Sequence, residues 1–156
     1  MKRLVLILLI AALAPMCCMA AAMHIYRGNS TYTSDILYTW DGRYLYRGNS
    51  TYTSDVLCTY DGRYVYDGRS TYSSDIILTY DGKRVYEGRS TYTSDILFTW
   101  DGRYLYVGNS TYTSDILCTI TNGHLYRGRS TYTSDILLTY TAPIPLPILL
   151  LATLYR

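Results

Sequence analysis

One phrase, Ser-Thr-Tyr-Thr-Ser-Asp-Ile-Leu, constrains this chain more than any other feature. It occupies residues 30–37 and returns with small changes from residues 50, 70, 90, 110 and 130, always twenty positions on. A constant period of about 20 residues marks a stacked or cyclic repeat protein, in which each unit buries its apolar face only against its neighbours. Such a chain is a scaffold first. Whatever it does must be grafted onto that repetition.

Each copy reads as a β-hairpin. The run 35–40 is rich in β-branched and aromatic residues, Asp41-Gly42 follows, and 43–48 is again β-prone. Two such runs joined by Asp-Gly predict a hairpin with a type I′ turn, which needs positive φ at both central residues. With Trp40 opposite Arg43, one face carries Ile36, Tyr38, Trp40 and Leu45 and is expected to be the core side. The other carries Leu37, Thr39, Tyr44 and Tyr46. In the fifth copy the turn becomes Asn122-Gly123, one residue later, which is expected to slide the pairing by two and keep every side chain on its face. Residues 48–54 are turn-rich and carry the chain to the next unit.

The ends of the array point to closure. Residues 24–28 match the second strand of a hairpin without its first, and residues 135–140 a first strand without its second. Joined, they complete a sixth hairpin and remove the open edges that make β arrays aggregate. The expected fold is all-β: six 20-residue hairpins closed into a ring or shallow barrel over residues 23–140. An open solenoid would need capping repeats, and none is visible. The remaining tail, 141–156, is proline-punctuated at 143, 145 and 147 and then apolar from 148 to 154. It cannot pair as a central strand and is too short to span a bilayer. Its apolar surface must be buried, and it is expected to cover one open end of the barrel, the alternatives being a plug through the centre or a partner- or membrane-inserting tip.

Residues 1–22 stand apart. Lys2 and Arg3, an apolar run from Leu4 to Met16 and Ala20-Ala21-Ala22 read as a secretory signal peptide cut before Met23. The protein is therefore expected to be exported, to the periplasm, the cell surface or the medium. Cys17 and Cys18 raise lipidation as an alternative, although residues 14–16 lack the Leu of a bacterial lipobox. Removing Lys2 and Arg3 takes the basic count from 14 to 12, against 12 acidic residues. A formally neutral chain argues against nucleic acid as a partner. Cys58 and Cys118 share one phase of the repeat on opposite sides of a six-fold ring, so buried thiols are expected rather than a disulfide.

Six copies of a unit of the form Ile-Tyr-Arg-Gly-Asn-Ser-Thr-Tyr-Thr-Ser-Asp-Ile-Leu-Tyr-Thr-Trp-Asp-Gly resemble the bacterial repeat proteins called β-flowers. In these, hairpin petals surround a shallow barrel similar in shape to the tubby C-terminal domain. The resemblance covers residues 24–140. It implies a closed barrel with an apolar centre and a possible link to membranes, and tubby-like domains carry a helix through the barrel, which suits the apolar tail. No residue here matches a phosphoinositide-binding position.

Repetition argues against catalysis, because an active site needs unlike groups converging in one place. Asp35, Asp55, Asp75, Asp95, Asp115 and Asp135 are expected to cap the turn entering each strand, accepting backbone N–H bonds together with the preceding Ser. A ring of carboxylates on an axial cation is the sharper alternative. His24 and His124 share one strand phase, lack a third ligand, and read as solvent-facing replacements for Tyr. Tyr32, Tyr52, Tyr72, Tyr92, Tyr112 and Tyr132 are expected to pack between units, with stacking on sugars or bases as the alternative. Asp67 with Arg69 and Glu87 with Arg89 read as compensated surface pairs. Closure would then gather Arg27, Arg47, Arg127 and Arg129 into a basic sector, a candidate for an anionic partner such as a lipid headgroup. No cofactor, metal or catalytic residue is assigned. The function this supports is an exported, non-enzymatic scaffold or interaction module at the cell envelope, contacting membrane lipid or another envelope protein. The rival readings are a lipid-associated barrel using the basic sector and the tail, and a carbohydrate-binding repeat protein.

Overall fold

Twelve short strands form where the β-branched and aromatic runs flank each turn. They are β1 (Met23–Arg27), β2 (Ile36–Trp40), β3 (Tyr44–Arg47), β4 (Val56–Tyr60), β5 (Tyr64–Asp67), β6 (Ile76–Tyr80), β7 (Arg84–Glu87), β8 (Ile96–Trp100), β9 (Tyr104–Val107), β10 (Ile116–Thr121), β11 (His124–Arg127) and β12 (Ile136–Tyr140). The structure, a computed structural model, describes residues 21–154. The expected leader, with Cys17 and Cys18, lies outside the described residues save for its last two positions.

The sheet closes. Every strand pairs antiparallel with its sequence neighbours, and β1 pairs with both β2 and β12. Ile25 lies opposite Tyr140 and Arg27 opposite Leu138, so the two half-hairpins at the ends of the array zip into the sixth hairpin. Closure also repeats a buried side-chain bond. The Thr39 hydroxyl donates to the Gly48 carbonyl at 2.7 Å within its own hairpin, and Thr139 donates to Gly28 at 2.7 Å across the seam. Each of the six threonines at this phase makes the same bond.

The turns differ from the expectation. Trp40 lies opposite Leu45, not Arg43, which leaves Gly42 and Arg43 as the two loop residues. Only Gly42 has positive φ, +99°, the pattern of a turn with Gly in the first central position. The cause is Asp41, whose Oδ1 accepts the N–H groups of Arg43 at 2.8 Å and Tyr44 at 2.7 Å and so draws Asp41 out of the loop and into register with Tyr44. In the fifth hairpin Asn122 and Gly123 occupy the same two places, both with positive φ, 52° and 77°. Ile120 lies opposite Leu125, the counterpart of Trp40 and Leu45, so the pairing does not slide.

A second difference redraws the core face. Between hairpins, Leu45 opposes Cys58 and Tyr46 opposes Val56, so Leu57 is an extra residue, a β-bulge. The same irregularity recurs at all six junctions. A bulge reverses the alternation of faces beyond it. Leu37, Leu57, Ile77, Leu97 and Leu137 therefore pack on the core, while Ile36 shares the outer face with its cross-strand partner Tyr26. Tyr38, Trp40 and Leu45 lie inside as expected.

Eight strands make a barrel that side chains can fill, and twelve leave a wider interior. The tail supplies the missing volume. Residues 146–154 form a helix, α1 (Leu146–Leu154), with Leu146 to Ala152 all buried and joined in one apolar cluster with Ile25, Leu45 and Val65. A helix apolar on every side needs such surroundings. Pro147 is tolerated because it falls in the first turn. At 1.5 Å per residue the helix is about 13 Å long, close to the height of strands of four or five residues. The tail thus fills the barrel rather than merely covering one end, while Pro143 and Pro145 lie at the turn-side mouth with Met23 and Trp40.

Candidate functional site

The loops between hairpins, not the barrel, present chemistry to solvent. In the first, the Ser30 hydroxyl accepts the Tyr32 N–H at 3.2 Å and donates to Asp35 Oδ2 at 2.5 Å, while the Asp35 N–H closes on the Tyr32 carbonyl at 2.9 Å to make a single 3₁₀ turn over Thr33–Asp35. The same lock recurs in all six loops. It fixes the intervening tyrosine: the six backbones fall between φ −76° and −80° and between ψ 142° and 145°. The carboxylates therefore tie their loops through a serine five residues earlier, with Ser74, Ser94 and Ser114 adding a second bond in their copies. Serine hydroxyls, rather than the expected backbone N–H groups, are the partners found. The bond from Ser70, reinforced by Ser74, holds the Asp75 carboxyl below its ordinary range, and Ser90 and Ser94 do the same for Asp95.

The tyrosines do not pack between units. Tyr32, Tyr52, Tyr72, Tyr92, Tyr112 and Tyr132 are each 75–76% exposed, on loops that the serine lock holds in one conformation. Each is flanked by exposed hydroxyl residues, as Tyr32 is by Thr31, Thr33 and Ser34. Since the loops join successive hairpins of a closed barrel, the six rings form a circle of equivalent, solvated aromatics.

Grooves run beside this circle. One, of about 650 Å³, lies between the first two hairpin turns and is bordered by Arg43, Tyr60, Asp61 and by Thr71, the neighbour of Tyr72. Another, of about 480 Å³, repeats the arrangement with Lys83, Trp100, Asp101 and Thr111, the neighbour of Tyr112. The turn aspartates are committed to structure. Burial pushes the Asp61 carboxyl up, but the N–H groups of Tyr64 and Arg63 and the Tyr66 hydroxyl outweigh it and hold the group below its usual range. Tyr46 is the corresponding donor to Asp41 at 2.8 Å; burial first, then that bond, pushes its hydroxyl up to about 12.

Closure puts the strands of Arg127, Arg27 and Arg47 in three successive hairpins, and all three side chains are exposed. Arg129 is exposed too, and it acts on the Tyr106 hydroxyl one hairpin back, as its counterpart Arg69 lies with its guanidinium carbon 5.5 Å from the centre of the Tyr44 ring. Tyr44, not the expected Asp67, is thus the neighbour seen for Arg69.

The histidines and thiols are absorbed by the fold. His24 and His124 are half-buried, each with Nδ1 against a threonine hydroxyl, Thr39 at 3.3 Å and Thr139 at 3.0 Å. Those hydroxyls spend their proton on Gly48 and Gly28, so the imidazole Nδ1–H must be the donor. Neither ring is the solvent-facing replacement that its sequence position suggested. Cys58 and Cys118 are buried and unpaired, and burial pushes both thiols up to about 12. Among the described residues no group of three or more His, Cys, Asp or Glu is placed to hold a metal.

Sequence reasoning missed the Thr39 series and the bond from Tyr46 to Asp41. Both were signalled: the threonine stands in all six copies, and Asp41 and Tyr46 recur together in four.

The sequence model of a family described as 6-fold beta flower protein matches residues 25–149, covering both the hairpin array and the first half of α1. No curated protein and no solved structure matches the chain.

Proposed function

The chain belongs to the 6-fold beta flower proteins, and on that footing we propose that it is an exported, non-enzymatic interaction module of the cell envelope whose contact surface is the circle of loop tyrosines. The observation that carries this reading is their exposure: six equivalent aromatic rings at 75–76% accessibility on loops that share one repeated serine–aspartate lock, around a barrel whose interior is already filled. Large solvated aromatics are costly to display and are the residues that dominate contact surfaces. Export is supported by residues 1–22 and by the start of β1 at Met23, where the expected cleavage leaves the chain. Intact-mass measurement of the secreted protein tests it, a mature chain beginning at Met23 being the expected result.

The surface reading is tested by replacing all six tyrosines with serine. Retention on envelope preparations from the producing cell should be lost while the thermal melt stays unchanged. Undiminished retention sinks it. A second reading, association with anionic lipid, draws on Arg127, Arg27 and Arg47 in successive hairpins. Flotation with phosphatidylserine vesicles, lost on replacing these three with serine and kept in the tyrosine variant, would favour it.

A further inference from the structure

We infer that the rim takes a neutral polysaccharide, with sugar rings stacked on the loop tyrosines and their hydroxyls received by the flanking threonines and serines. This rests on the reading of the tyrosine circle as the contact surface and goes on to name its ligand.

Three features select the class. The first is preorganisation. The Ser30 to Asp35 lock and its five copies hold each tyrosine at one backbone conformation, so little ordering cost remains at binding. A rigid aromatic with two torsions is the side chain best suited to that task.

The second is charge. The loop cations are Arg69, Arg89 and Arg129; Arg69 lies over the strand tyrosine Tyr44, and Arg89 and Arg129 are close enough to the strand tyrosines Tyr66 and Tyr106 to act on their hydroxyls electrostatically. What surrounds each rim ring is hydroxyl: Thr71, Ser73 and Ser74 beside Tyr72, all exposed, with the Asp75 carboxylate behind them. At the ring itself a polyanion would meet hydroxyls and a carboxylate, not a cation. A lipid surface would need aliphatic neighbours that can enter the acyl boundary, and serine and threonine cannot. A pyranose fits both halves of the site, since its C–H face is apolar and packs on an aromatic ring while its edge is all hydroxyl.

The third is continuity and number. Thr71 borders the 650 Å³ groove that also holds Arg43 and Asp61, and Thr111 borders the groove of Lys83 and Asp101. A chain stacked on Tyr72 therefore has a polar channel to run into, bordered by a cationic donor from a hairpin turn. Six such stations suit a ligand that is itself periodic, because simultaneous engagement multiplies weak single contacts into useful avidity.

The experiment is co-sedimentation of the mature chain with insoluble neutral polysaccharides of α- and β-linkage, starch, cellulose and chitin, with pectate as the anionic control, followed by calorimetry with hexasaccharides of whichever one retains it. Retention by a neutral polymer and not by pectate is expected, with affinity falling about tenfold on Tyr72→Ala and retention abolished when all six rim tyrosines are alanine. The rim is exposed, so these variants should keep the parent melt. Failure of every neutral polymer to retain the chain, or retention unaffected by the six-fold variant, overturns the proposal. If envelope preparations still bind the chain in a tyrosine-dependent way while every neutral polymer fails, the contact surface stands and only the ligand class falls. If envelope binding is itself independent of the tyrosines, the underlying reading falls with it.

Discussion

Arg69 sits over the Tyr44 ring at 5.5 Å although the two are 25 positions apart in the chain. The same step from Tyr64 leads to Arg89 and from Tyr104 to Arg129. Where the strand position holds His24 or Arg84 instead, the step leads to Asn49 or Asn109, and from His124, counted across the seam, to Asn29. An arginine thus faces a strand residue only when that residue is tyrosine. The physical reason is direct: a guanidinium gains from a tyrosine face, finds no such face on an imidazole already bonded to the strand threonine, and is repelled by a second guanidinium. Tyr44→His should therefore destabilise the protein when Arg69 is present and much less when Arg69 is Asn. Urea melts of the double-mutant cycle should return a coupling of about 0.5–1 kcal/mol, and a coupling of zero would refute the rule.

The seam makes a sharper demand. Thr139 reaches Gly28 with the bond that Thr39 makes to Gly48 inside one continuous hairpin, and each hydroxyl also accepts from a histidine, His124 and His24. Thr139→Val and Thr39→Val should therefore cost the same, about 1 kcal/mol for each bond lost, the ordinary net worth of a buried hydrogen bond. In an open array the first would lose only its histidine bond, so a smaller loss for Thr139→Val in denaturant melts would count against the ring.

The helix should behave as core. Ile148 is fully buried in the cluster that spans strands and helix, and Leu154 is 62% exposed. Ile148→Ala is expected to lower stability by about 3 kcal/mol through lost burial and the cavity left behind, and Leu154→Ala to change it by less than about 0.5 kcal/mol. Chemical denaturation of the two variants separates a barrel filler from a dispensable tail.

Stability should fail at both ends of the pH scale for different reasons. Tyr46 and Tyr60 have hydroxyls pushed up to about 12, each by burial first. A raised value in the folded state means their contribution is complete below the ordinary tyrosine value near 10 and is lost as pH climbs from there toward 12. The carboxyls of Asp61, Asp81 and Asp101 are held low, their turn and tyrosine bonds outweighing burial. Their contribution is present above about pH 4 and lost as pH falls through the lower folded values. Urea midpoints across pH should show a plateau between these limits, and a midpoint that stays flat to pH 12 would contradict the tyrosine assignment.

Closure, copy number and hairpin identity were legible in the chain because they follow from period and from two unfinished ends. Face assignment was not, because one extra residue per junction decides it. Nothing in the run Ile36-Leu37-Tyr38 marks Leu37 as the bulged position until the neighbouring Ile25 and Tyr26 are seen to pair with Tyr38 and Ile36. The turn register failed for a related reason, since the Asp41 carboxylate captures two N–H groups and moves the loop by one residue. The tyrosine circle was misplaced because regular recurrence suits packing and display equally well; only the Ser30 to Asp35 lock, spaced five apart in every copy, distinguishes them. The 25-residue alternation of Arg with Tyr was present in the letters throughout, and needed the fold to show which letters face each other.

Near-identical tandem copies invite recombination to insert or drop a unit, and a ring held only by its hairpins could absorb such an event by changing circumference. The buried helix forbids it. Its diameter acts as a gauge: five hairpins would crowd Leu146 to Ala152, and seven would leave a void around them, so the nine residues of α1 count the petals that precede them.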